Sequence, residues 1–174
     1  MENEVMCVES NQGILSDVSS GKIPIFEPEL ENLVTKCIQN QKLQFTDQIK
    51  DVLEFAEVIF ICVGTPQAED GKADLSQIDS VAIKIAEHLN GYKLLVEKST
   101  VPIGTHIRLK NTMSLHLKNK VDFEIACVPE FLREGNAVKD FLNPDRVILG
   151  IESENSHQLL TSIYKDFECP KIWT

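Results

Sequence analysis

The sequence predicts an α/β fold, a parallel sheet with helices on both of its faces. Three observations carry this. Short apolar runs alternate along the chain with stretches of helical periodicity. The run Val58 to Val63 is almost continuously apolar, as a strand covered on both sides must be. Pro24, Pro28, Pro66, Pro102, Pro129, Pro144 and Pro170 all fall in loops or at element starts, where a missing N–H does no damage. Strands alternating with helices imply βαβ units with right-handed crossovers.

The elements follow in order. Glu4 to Val8 is short and apolar enough for a strand. Pro28 to Ile38 carries Leu30, Leu33, Val34, Cys37 and Ile38 at helical spacing. Leu43 to Phe45 is a short strand, and Val58 to Val63 a buried one. Leu75 to Leu89 places Leu75, Ile78, Ala82, Ile85, Ala86 and Leu89 on one helical face. Leu94 to Val96 is a strand, Thr105 to Leu117 a helix, and Phe123 to Val128 and Val147 to Ile151 further strands. Glu152 to Phe167 is a weaker helix, and Lys171 to Trp173 a last strand.

At 174 residues, 43% hydrophobic and 25% charged, the chain has the composition of one ordinary domain with a real core. A net charge of -10 and the lack of any Lys/Arg-rich run argue against a nucleic-acid partner. A small anionic ligand stays compatible, because backbone N–H groups at helix starts hold phosphate without net positive charge. Cys7, Cys37, Cys62, Cys127 and Cys169 are odd in number and form no CxxC pair. Cys7, Cys62 and Cys127 lie in strand-like runs, where a thiol acts as a small hydrophobe. That fits a reducing compartment better than a disulfide framework. With no cationic-then-apolar leader and no long apolar run, the chain reads as cytosolic, soluble and free of the membrane. No metal-ligand spacing occurs: HExxH, CxxC and DxDxDG are all missing, so no metal site is expected.

Polar residues gather just past the strands, where open α/β sheets bind ligands. Glu9 follows the first run. An acidic residue there can accept from the ribose hydroxyls of a dinucleotide, or simply be a solvated loop carboxylate. Gly64 and Thr65 in VGTP offer a close backbone approach and a hydroxyl, or a plain βα turn. KSTVP, from Lys98 to Pro102, sets the Ser99 and Thr100 hydroxyls at the sheet edge, with Ser99 also read as a helix N-cap. None of His88, His106, His116 and His157 shows a pattern that would make it the base of a nucleophilic serine. PEFLREG, from Pro129 to Gly135, puts the Glu130 carboxylate beside Phe131 and Leu132, a desolvating setting suited to acid/base work. The plainer alternative is a solvated charge cluster in a strand-to-helix loop. NPDR, from Asn143 to Arg146, reads as a turn into the next strand.

Taken in order, GKIPIFEPELENLV, VIFICVGTP, GKADLS, EKSTVPIGT and PEFLREGNAVKDFLNPDRVILG span nearly the whole chain. In these motifs the chain resembles the UDP-glucose/GDP-mannose dehydrogenase family, and its NPDR segment favours the UDP-glucose branch. The resemblance implies a Rossmann-like NAD-binding domain. It also implies oxidation of the C6 alcohol of UDP-glucose to the carboxylate of UDP-glucuronate, with NAD as cofactor. It assigns Glu9, Thr65, Thr100 and Glu134 to cofactor binding, and Glu130 and Thr100 to catalysis, Glu130 as acid/base through a water that Thr100 helps position. Phe131, Leu132, Arg133 and Glu134, with Glu130, would line the sugar-nucleotide pocket. UDP-glucose, bound together with the C-terminal domain, is the implied partner, and assembly into a homo-oligomer is left open.

The chain departs from the family pattern in three places. The opening βα unit with its GxGYVG turn has no counterpart, so residues 1–174 are expected to form an incomplete NAD-binding domain with the first βα unit missing. The family's nucleophilic cysteine, central helix and C-terminal UDP-binding domain likewise have no counterpart. Val128 stands where the family commonly has Asn. In the strand order 3-2-1-4-5-6 the first strand is central. Without it the chain alone is expected to be destabilised and not to complete the oxidation. The competing expectation is a non-catalytic truncated relative that serves as an assembly or regulatory module.

Overall fold

The protein is described over residues 3–174 by a computed structural model. Its contacts divide it into two compact units, each described by itself: residues 3–55 with 131–144, and residues 56–130 with 145–174.

In the first unit β1 (Val5–Val8) pairs in parallel with β2 (Leu43–Thr46), in the register Val5 with Leu43 to Val8 with Thr46. Between them run α1 (Gln12–Ser19) and α2 (Leu30–Gln39), and α3 (Ile49–Phe55) follows β2. Asn11 caps α1, its side-chain oxygen accepting from Gly13 N at 2.9 Å and Ile14 N at 3.1 Å. The chain enters α2 through Glu29, whose φ of 68° is left-handed. The short α6 (Ala137–Leu142) completes this unit.

The second unit is built on β3 (Val58–Ile61), β4 (Lys93–Glu97) and β5 (Phe123–Cys127), parallel and in the order β3-β4-β5. β6 (Val147–Leu149) and β7 (Lys171–Trp173) form a parallel pair. β6 is tied to β5 where Cys127 and Gly150 exchange backbone hydrogen bonds of 2.9 Å. Leu94, Leu95 and Val96 of β4 have no exposure, as a central strand covered on both faces requires. One face joins Leu94, Val96, Ala126 and Val128 to Val147, Leu149 and the α7 residues Leu160 and Tyr164. α7 spans Glu154–Tyr164. Leu95 and Ile125 alternate to the other face. There α5 (Thr105–His116) packs on β5 and against α4 (Ser76–His88). α4 buries Ile78, Ala82, Ile85 and Ala86, the apolar face its spacing predicts. No helix among the described residues is long and apolar enough to cross a membrane.

Strand and helix positions agree with the sequence reading to within a few residues, with these differences. α1, α3 and α6 were not expected: at 8, 7 and 6 residues they are too short for a repeated apolar spacing to stand out. The run Val58 to Val63 stops pairing at Ile61, and Cys62 is exposed instead of serving as a buried hydrophobe. All five cysteines are free thiols.

Candidate functional site

The residues singled out by the sequence divide between the units: Glu9 and Phe131 to Glu134 in the first, Thr65, Thr100 and Glu130 in the second.

In the second unit the loops after β3 and β4 meet. The Thr65 hydroxyl donates to the backbone oxygen of Thr100 at 2.7 Å. Ser99 reaches the same strand end, its hydroxyl donating to Val63 O at 2.8 Å while its backbone N–H donates to Ile61 O at 3.2 Å. Ser99 is therefore not the helix cap that was one of its readings. The position before α5 is Gly104, whose φ of 88° favours glycine, and Thr105 closes that turn by donating to Pro102 O at 2.7 Å. Ser99 instead joins the ends of β3 and β4, which leaves Thr100 exposed beyond them.

A small hairpin rises beside these loops. Gln67 bridges Ala73 in antiparallel fashion, Ala68 N donates to Lys72 O at 2.7 Å, and Asp74 N donates to Pro66 O at 2.7 Å. Asp74 also accepts from Ser76 N at 2.9 Å at the start of α4, which holds its carboxyl below the usual range. Between hairpin and loops lies an open cavity of about 460 Å³, lined by Thr65, Gln67, Lys72, Thr100, Val101 and Pro102 among others. Thr65 and Thr100, far apart in sequence, thus face one space. The sequence reading missed Gln67, Lys72, Val101 and Pro102 as lining residues; GKADLS and KSTVP were the available signals.

Glu130 is half-buried just past β5. Lys98, also passed over, lies within electrostatic range: burial pushes its ammonium down, and Cys62 and Glu130 oppose that shift. Below them, Glu97 is 3% exposed at the end of β4 with its Oε1 unpartnered. Burial raises its pKa against the opposing Cys127 thiol, which donates to Oε2 at 3.7 Å, and the His106 charge.

In the first unit Glu9 is half-buried at the end of β1, its backbone N–H paired with Thr46 O at 2.9 Å. Its Oε1 accepts from Asn11 N at 2.7 Å, which fixes the carboxylate at the strand end. Phe131 to Glu134 form an exposed loop, with Phe131 56% accessible. The Arg133 guanidinium is held by Asp140, at 2.7 Å from Nη2 to Oδ1 and 2.9 Å from Nε to Oδ2. The Glu27 carboxylate accepts from Gly135 N at 2.9 Å and Val138 N at 3.3 Å.

The sequence and the fold match known proteins over nearly the whole chain. Residues 1–168 fit the NAD-binding domain of the UDP-glucose/GDP-mannose dehydrogenase family. The chain is 37% identical over 172 residues to the UDP-glucose 6-dehydrogenase TuaD of Bacillus subtilis, covering 99% of itself and 37% of that protein. With the Rhizobium meliloti UDP-glucose 6-dehydrogenase the identity is 38%, over 99% of this chain and 40% of that one. Among solved structures, the UDP-glucose dehydrogenase of Pyrobaculum islandicum superposes with a TM-score of 0.93 at 32% identity, covering 98% of this chain and 40% of that one. The GDP-mannose dehydrogenase of Pseudomonas aeruginosa gives 0.94 at 32% identity, covering 99% and 41%. The chain thus spans about two fifths of the length of these relatives. The parallel strands and flanking helices are those of a Rossmann-like domain, and the chain belongs to the UDP-glucose/GDP-mannose dehydrogenase family, whose NAD-binding domain it carries.

Proposed function

We propose that this chain supplies the cofactor-binding part of an NAD-dependent UDP-glucose 6-dehydrogenase and contributes Glu130 and Thr100 to its chemistry. The meeting of Thr65 and Thr100 on one cavity is the observation that carries this reading. With its hydroxyl hydrogen committed to the Thr100 carbonyl, Thr65 keeps its oxygen lone pairs for a cofactor donor. Thr100 lies beyond the sheet edge with its own hydroxyl available to position a water. Glu9, held by Asn11 N, has a second carboxylate oxygen to accept from a ribose hydroxyl. Each of these residues, within its own unit, offers an oxygen suited to a dinucleotide, and NAD when bound supplies the hydride acceptor.

The overall change, a primary alcohol to a carboxylate, removes two hydrides and adds the oxygen of one water. Glu130 takes the proton that leaves as each hydride departs, directly or through the water held by Thr100, and Lys98 balances its charge. Phe131 and Leu132 give the sugar-nucleotide loop apolar surface, while Arg133 and Glu134 give it polar groups. Because the chain spans about two fifths of its relatives, cofactor binding without turnover is the behaviour we expect of it alone.

The test is titration of NAD into the purified chain by calorimetry, alongside an assay for NADH production from UDP-glucose. A saturable heat that is lost in a Thr65→Val, Thr100→Val double variant is the expected result. A chain that takes up no NAD at millimolar concentration, yet melts cooperatively, sinks the reading.

A further inference from the structure

We infer that Glu27 is a positioning residue for the sugar-nucleotide loop, an inference that rests on the function proposed above. Glu27 belongs to the FEPEL motif, to which the sequence reading gave no role. In the folded chain its half-buried carboxylate spans more than a hundred residues of sequence to accept from Gly135 N at 2.9 Å and Val138 N at 3.3 Å, one oxygen to each.

Gly135 ends the PEFLREG segment with φ of 79°, a left-handed conformation that reverses the backbone. A carboxylate that holds two N–H groups on either side of this reversal fixes the direction from which the preceding residues leave. Those residues are Phe131, Leu132, Arg133 and Glu134. Asp140 holds the same loop from a second side through the Arg133 backbone N–H at 3.1 Å and the Arg133 guanidinium. Both clamps lie within the first unit and engage one short loop, whose Phe131 and Leu132 are exposed. Of the two, Glu27 acts on backbone alone, so it sets the loop without removing any side chain from a ligand. An ionised carboxylate is needed because both of its partners are donors. An amide at this position would turn an NH₂ group toward one N–H and open the reversal.

The Glu27→Gln and Glu27→Asp variants, compared with the wild-type chain, test this. UDP-glucose and NAD affinities are measured separately by calorimetry, and amide hydrogen exchange is followed at Gly135 and Val138 without ligand. E27Q is expected to speed exchange at both amides and weaken UDP-glucose binding about tenfold, as loss of one charge-assisted hydrogen bond implies. It should weaken NAD binding less than UDP-glucose binding, because of the cofactor-side residues only Glu134 lies on this loop, while Asn11 N fixes Glu9 and Thr65 and Thr100 belong to the other unit. E27D keeps the charge on a shorter arm and should recover part of the loss. An E27Q variant with wild-type exchange, or with wild-type UDP-glucose affinity, overturns the inference alone. An equal loss of both ligands would mark Glu27 as merely structural and also overturns it. A wild-type chain that binds NAD but not UDP-glucose overturns the sugar-nucleotide reading and this inference with it.

Discussion

The side-chain hydroxyl of Thr65 donates to the backbone oxygen of Thr100 across 2.7 Å, joining the loops that follow β3 and β4. Thr65→Val keeps the shape, removes the donor and leaves the Thr100 carbonyl without that partner. A neutral hydrogen bond of this kind contributes about 1 kcal/mol. The NAD dissociation constant, read by calorimetry, should rise roughly fivefold, whereas Thr65→Ser should stay near wild type. Equal affinities for T65V and T65S would remove Thr65 from the cofactor side of the site.

Glu29 enters α2 at φ 68°, where a β-carbon crowds the backbone and the residue makes no side-chain cap. An L-residue pays roughly 1–2 kcal/mol in this region, and glycine does not. Glu29→Gly should therefore raise the thermal midpoint by a few degrees despite glycine's greater freedom in the unfolded chain. A lowered midpoint in differential scanning calorimetry would show that the conformation is cheaper than its φ implies.

Glu97 is nearly inaccessible, and its raised pKa ties its state to pH. A folded value above 4.5 means that its stabilising contribution is complete below 4.5 and is lost as pH rises through the folded value. Glu97→Gln removes the cost of a buried charge. Its urea midpoint should exceed wild type by an amount equivalent to about 1 kcal/mol at about pH 8, with little or no gain at about pH 4. The same difference at both pH values would count against the argument.

Glu124 on β5 behaves in the opposite sense. Desolvation raises its pKa, but hydrogen bonds from Ser153 (2.5 Å) and Ser156, with the Lys110 charge, outweigh it and the net shift is downward. Its contribution is present above 4.5 and lost as pH falls through the lower folded value. Ser156→Ala deletes one donor, while the Ser156 backbone N–H stays bonded to Ser153 Oγ at 3.1 Å. The variant should lose about 1 kcal/mol at neutral pH and show a shallower fall in stability on the acid side. A parallel acid limb would assign the loss to packing alone.

Much of the fold was legible because its elements repeat a period long enough to read. α4 buries Ile78, Ala82, Ile85 and Ala86, and β4 buries Leu94, Leu95 and Val96, as their patterns required. α1, α3 and α6 escaped because each is about two turns long or less. Thr65 and Thr100, which line the cavity, were singled out by their place after strands. Gln67 and Lys72 were not, because a hairpin closed by backbone hydrogen bonds leaves no periodic trace. The Ser99 hydroxyl could cap a helix or join strand ends with equal chemistry, and only tertiary structure decides between them. Glu27 depends on a contact more than a hundred residues away, which local pattern cannot report.

The first unit is discontinuous: residues 131–144 join residues 3–55 across everything between them. During synthesis β1 and β2 can pair early, but Glu27 has no Gly135 to hold until the second segment has been made. Closing so long a loop from a disordered chain is entropically costly, and the cost falls if the intervening residues have already ordered. The strands from β3 to β5 pair with one another within their own segment and can order first, although one of their faces is closed only by β6 and α7. The loop that Glu27 clamps would then be among the last parts of the chain to reach its final geometry, and refolding followed at Gly135 should lag behind refolding followed at Leu95.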